Sequence, residues 1–382
     1  MHKMNRKAEI ILCGDICPTK DTSLFFEEEN ASSLFNDVIQ EFNSADLVVA
    51  NLEFVLTDTP KPIQKSGPIL YGKTNYIRVL KKAGIHLLSL ANNHIKDCGE
   101  EGVKSSMDTC LKHQIDIVGV GKNINEAKKP FVKVVNGVKI GILAYAEQEF
   151  NCANDTEYGS NYFDPYEDLD AIEKLKEKVD FLLVIYHGGI EYYEYPSPLL
   201  QKKCRKFVEK GADLVTCQHS HCIGSIEEYK DKKIIYGQGN SIFGYKENNS
   251  SWNEGLLLKV EFYENNTFAV HHKGITATQG GIRLMNATEN ITLSKQIEER
   301  SSKVYDSQFI MASWIAFCKR KQEMYFPQYL GLNRYWIHLN RILKNRVVAI
   351  LYGKKYLRSS HNIMRCESHN EVIQTLFNQY FK

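Results

Sequence analysis

Apolar runs of five to eight residues recur along the first two thirds of the chain, and most of them end in a polar residue able to do chemistry. They read as buried strands: EIILCGD (9–15), DLVVANLE (46–53), HLLSLANNH (86–94), IDIVGVG (115–121), VKIGILAYA (138–146), DFLLVIYHGG (180–189), DLVTCQHSH (213–221) and KKIIYGQGN (232–240). Between them lie stretches with helical spacing, NYIRVLKKAG (75–84), GVKSSMDTCLKHQ (102–114) and PLLQKKCRKFVEKG (198–211), with Gly84 and Gly211 where a helix C-terminus places one. Continuous rather than alternating apolar runs mark strands covered on both faces. Their alternation with helices predicts an α/β protein with a mainly parallel sheet. EGLLLKVEFYE (254–264) and TFAVHHKGITA (267–277) predict a more antiparallel ending.

Composition adds little until the chain is divided. Over 382 residues, 43% are hydrophobic and 25% charged, ordinary for a globular protein with a large core. The net charge of +2 hides an asymmetry: residues 283–382 hold 16 Lys/Arg against 7 Asp/Glu, leaving 32 against 39 for residues 1–282. The strand pattern also stops there, and aromatics such as Trp314, Tyr325 and Trp336 gather. Two regions are expected: an α/β domain over 1–280, and a basic, aromatic-rich, mainly helical region over 281–382. Ten scattered cysteines without C-x-x-C pairs, and an N-terminus running straight from basic residues into a strand, predict a reducing, cytoplasmic setting.

The strand ends carry the chemistry. They supply Asp15, then Glu53 with Asn51, then Asn93 and His94, then His187, then His219 and His221. Ligands of α/β proteins bind beyond the carboxyl ends of the strands. Taken singly, each of these residues is more often a turn or a cap, but pooled they predict a metal site. Alternate residues of a strand share a face, so His219 and His221 are expected to point together at one object. Mixed oxygen and nitrogen donors without paired thiolates suit one or two Mn, Fe or Zn ions.

Six ordered motifs, GDICPT (14–19), NLEFVLTD (51–58), ANNHIKDCGEEG (91–102), YHGGIEYYEYPSP (186–198), GADLVTCQHSHCIGS (211–225) and IIYGQGNSIF (234–243), make the chain resemble the CapA family of capsule-synthesis proteins. The resemblance covers about residues 8–245. It implies a calcineurin-like metallophosphoesterase fold, layered β-sheets flanked by helices. It also implies roles: Asp15 and His221 on a first metal, Glu53 bridging, and Asn93, His187 and His219 on a second, with His94 as the group that contacts phosphate or protonates the leaving group. Asp97 either orients His94 or caps the helix that follows. Two departures from the wider pattern stand out. Cys17 occupies the place of the usual histidine after the first Asp, as a possible extra ligand, and Glu53 replaces a shorter bridging Asp. Substrate-side residues are expected at Asn51, Glu191, Tyr192 and Asn240, where a solvated rim or a closing turn is the alternative.

These readings predict a metal-dependent phosphoesterase-like hydrolase in the making of poly-γ-glutamate or another capsular or cell-surface polymer. The alternatives are an acid/base catalyst on a peptide or polyglutamate without phosphate chemistry, and a non-catalytic polymer-assembly component. Expected partners are an anionic polymer, a phosphorylated or γ-glutamyl substrate, and peripheral contact with a membrane or polymer-assembly proteins. Nucleic acid is disfavoured because no binding motif accompanies the basic charge. Nothing in the sequence sets the oligomeric state.

Overall fold

The computed structural model describes residues 6–265, 267–344 and 346–380. Two sheets, rather than a single one, organise the α/β part. The first runs in the order Ile282–Leu284, Phe268–Ala277, Glu254–Tyr263, Arg6–Ile16, Leu47–Leu52, Leu87–Ser89, Asp116–Val118, with Asn240–Ile242 also paired to Arg6–Ile16. The second runs Ile226–Tyr229, Lys232–Ile235, Leu214–Gln218, Phe181–His187, Val138–Ala146, Phe131–Val135. Central pairings are parallel in both, and the expected antiparallel ending is the Glu254–Tyr263 and Phe268–Ala277 pair.

The period of two along each strand explains the layering. In Arg6–Ile16, Ile10 and Leu12 enter an apolar layer shared with Ile140, Ile142, Leu183 and Ile185 of the other sheet. Ile11 and Cys13 turn the opposite way, onto helical residues such as Phe42, Leu80 and Val103. In Phe181–His187, Leu182 and Val184 pack with Ile172, Cys204 and Phe207 of the helices Asp168–Lys176 and Pro198–Glu209. Each sheet therefore has helices on one face and the other sheet on its second face. A strand buried on both sides reads the same whether helix or sheet covers it, so the sequence pattern could not separate one sheet from two.

The described elements trim several sequence boundaries. Only Leu87–Ser89 of the 86–94 run is strand, which leaves Asn93 and His94 in turns. The 115–121 run is split at Gly119, whose φ of +77° is a conformation side chains rarely adopt. The first compact unit extends to Met311 and the second spans 312–382. The helix Ala287–Lys303 belongs to the first unit because Leu293 and Ile297 join its inter-sheet core, so compactness runs on past the boundary expected near 280. The second unit consists of helices, among them Arg334–Ile342, Arg346–Leu351, Lys354–Arg365 and Glu367–Tyr380.

Candidate metal centre

The carboxyl ends of the central strands of both sheets meet at one place. Asp15 lies one residue from the end of its strand, with Asn51 as register partner on one side and Asn240 on the other. Glu53 follows directly on Leu47–Leu52. His187 closes its strand in register with Gln218, after which the chain turns through His219 and His221.

Two overlapping triads result. Glu53, His187 and His219 offer donor atoms within 4.8 Å of one another, and so do Asp15, Glu53 and His221. Glu53 is common to both. The two histidines are divided, although period-two alternation had them facing one object. The strand has already ended at Gln218, and His219 and His221 take φ of +91° and +51°. Non-glycine residues in that region are uncommon and collect at functional sites. The His219 amide donates to Asp15 Oδ2 at 3.1 Å and the Tyr192 amide to the Ser220 carbonyl at 2.8 Å, which hold the strained link in place.

Asparagines scaffold the donors. Asn51 Nδ2 donates to Asp15 Oδ1 at 2.8 Å and lies 3.2 Å from His187 Nδ1. Asn93 Oδ1 is 3.1 Å from His187 Nε2, and Asn240 Oδ1 is 2.9 Å from His221 Nδ1. Asn93 contacts the cluster through His187 and is partly exposed.

Electrostatically the bare cluster is uncomfortable. Glu53 is fully buried, and neither carboxylate oxygen accepts a hydrogen bond from any described residue; His219 Nδ1 is likewise buried without a partner. Burial holds the Glu53 carboxyl well above the usual carboxylate range. Burial and the Glu53 charge push Asp15 up to about 6. Burial pushes His187 down to about 4 and His219 well below the usual imidazole range, and it lowers His221 as well. Neutral imidazoles are the ligating form, and carboxylates that resist ionising alone are those a cation would stabilise. The orphaned oxygens, the donor types and their spacing therefore fit a divalent metal.

Around this core the expected residues fall into place unequally. His94 Nδ1 is 2.7 Å from Asp97 Oδ2, while Nε2 lies 4.0 Å from Glu53 Oε1. Asp97 thus orients the ring; the following helix is capped at Cys98 without a side-chain bond. Cys17 belongs to neither triad. Its side chain sits in the apolar core under the first sheet, with Sγ 3.5 Å from the Pro18 carbonyl. Glu191 and Tyr192 are exposed, and Tyr192 stacks 6.2 Å from Trp252.

Four contributors carried no readable signal. Lys65, in an irregular polar stretch, has a side chain only 2% exposed and ion-pairs with Asp97. Asn92, fully buried, ties Asn51 to the Leu52 carbonyl. Trp252 and Phe243 wall His221 at 4.8 and 4.7 Å, and only their long-range packing brings them there.

Fold and site together define a layered α/β protein with a candidate metal centre at the shared carboxyl edge of two sheets. The chain belongs to the bacterial capsule synthesis protein family PGA_cap, whose model matches residues 9–245. It is 26% identical over 315 residues to the capsule biosynthesis protein CapA of Bacillus anthracis, spanning 79% of this chain and 75% of that protein. It is 30% identical over 236 residues to the PGA biosynthesis protein CapA of Bacillus subtilis, spanning 60% of this chain and 62% of that one. Among solved structures, a 5'-nucleotidase precursor from Thermus thermophilus aligns with a TM-score of 0.41 at 14% identity, covering 82% of this chain and 59% of that chain.

Proposed function

We propose that the chain is a metal-dependent phosphoester hydrolase acting in the making of an anionic cell-surface polymer. Glu53 carries this reading: a buried carboxyl whose oxygens accept no hydrogen bond, with the neutral His187 imidazole 3.5 Å away, belongs to both triads, and a bound cation would balance its charge. The mixture of carboxylate and imidazole donors suits Mn, Fe or Zn. Bound there, such a cation would supply Lewis-acid stabilisation of charge developing on phosphoryl oxygens.

The remaining roles fall to the chain's own residues. Asp97, paired with Lys65, fixes His94 through Nδ1, which leaves Nε2 as the atom that gives or takes a proton beside Glu53. Proton transfer of this kind contributes typically ~10²–10⁴-fold in rate. Asn51 and Asn240 hold Asp15, His187 and His221 in position, and the Trp252 and Phe243 rings exclude water from one side. The polymer context comes from the family; the PGA biosynthesis named for the Bacillus subtilis relative favours amide chemistry on a γ-glutamyl chain as the second reading.

A direct assay separates the two. The full chain, supplied with Mn, Fe or Zn in turn, is offered p-nitrophenyl phosphate, its diester and a γ-glutamyl p-nitroanilide. Metal-stimulated turnover of a phosphoester, lowered about 10²-fold or more by His94→Ala, supports the proposal. Turnover of the anilide alone, or full activity in His94→Ala, overturns it.

A further inference from the structure

We propose that residues 312–382 bind the surface of an anionic lipid bilayer without crossing it. The charge asymmetry lies entirely in this unit: residues 312–382 hold 12 Lys/Arg against 3 Asp/Glu, a net +9, which leaves 36 against 43 for residues 1–311. The pattern within the unit is the second observation. Along Lys354–Arg365, Tyr356, Leu357, Ile363 and Met364 share one side at helical spacing, and Lys354, Lys355, Arg358 and Arg365 take the opposite side. The helix has no buried residue, and Tyr356 and Met364 are 53% and 51% exposed. Bare aliphatic surface continues at Ile350, Val372 and Leu376, each more than half exposed.

A helix with a basic face and an exposed apolar face lies in a membrane interface rather than across it. Among the described residues, no helix is long and apolar enough to cross a membrane. The occupant follows from covering both faces at once. A soluble polyanion would satisfy the lysines but leave the aliphatic side chains in water. A second copy would cover the aliphatic side chains but bring two +9 units together. An anionic bilayer takes up both. This inference stands apart from the hydrolase reading and does not depend on it.

The test uses the full chain, sedimented with vesicles of phosphatidylcholine alone or with about 30% phosphatidylglycerol. Binding is expected only to the anionic vesicles, and it weakens with salt because the Debye length is about 10 Å at 0.1 M. Replacing Lys354, Lys355 and Arg358 together by Ser is expected to lower partitioning at least about tenfold, since each surface charge contributes roughly fivefold. Ile363→Ser with Met364→Ser, which leaves the charge unchanged, is expected to lower it by a similar factor through lost apolar burial. Helical circular dichroism and the chemical unfolding midpoint serve as folding controls. The proposal is overturned if the wild-type chain ignores anionic vesicles at low salt. It is equally overturned if the apolar pair has no effect, which marks simple polyanion capture, or if the apolar pair instead abolishes a dimer.

Discussion

Glu53 and its neighbours make the roles of individual residues separable. His219 belongs to a triad, whereas His94 stands 4.0 Å behind Glu53 and is tied to Asp97. His219→Ala is therefore expected to weaken metal affinity by more than about tenfold, and His94→Ala to weaken it less, as read by titration calorimetry; the reverse order would contradict the assignment. A pH dependence follows from the same burial. Metal uptake must displace the proton from Asp15, which titrates at about 6 in the bare protein, while His187 stays neutral down to about 4. Below about pH 6 the pH dependence of affinity is expected to gain one proton, about tenfold per pH unit, and Asp15→Asn to lose that increment. Identical profiles for the two proteins would argue against Asp15 as a donor. In the metal-free protein the signs oppose each other. The raised Asp15 carboxyl favours the fold at pH below 3.8, and that gain is lost as pH rises through about 6; the lowered His187 favours it above 6.5, and that gain is lost as pH falls toward 4.

Elements explain why most donors were legible and some neighbours were not. Asp15, Glu53 and His187 stand at the ends of apolar runs, and a run's end is visible in sequence. Strand periodicity pointed His219 and His221 the same way and only the family resemblance divided them, because their direction depends on two left-handed residues in a turn that periodicity does not describe. Lys65 was invisible for a different reason: it reaches Asp97 from an irregular polar segment where one lysine resembles any other. Close approach between elements also supports the site. A Cβ on Gly14 would lie 2.2 Å from the Gly239 carbonyl oxygen, in the turn that delivers Asn240 to His221. Gly14→Ala is expected to cost about 1–3 kcal/mol of stability, measured by chemical denaturation with metal removed, and to weaken metal binding as Asn240 shifts. An unchanged midpoint would mean that the turn yields freely.

At the scale of the whole molecule, the α/β class and the helical second unit followed from pattern, but the pairing of two sheets did not, since each strand's covered faces carry no label for what covers them. That pairing is what assembles the centre: Asp15 and Glu53 come from the edge of one sheet, and His187, His219 and His221 from the edge of the other. A cation held between them would couple the sheets, so its loss is expected to reach the fold as a whole. A ligand at 100 times its dissociation constant stabilises the native state by about 2.7 kcal/mol. Chelation is accordingly expected to lower the unfolding midpoint of the wild-type chain and to leave Glu53→Gln nearly unmoved. The most direct measurement is elemental analysis of the full chain purified without chelator, beside Glu53→Gln prepared in the same way. About one to two equivalents of Mn, Fe or Zn in the wild type, with loss of most of it in the variant, is the expected result. Less than about a tenth of an equivalent in the wild type, with none regained when metal is added back, would contradict the account.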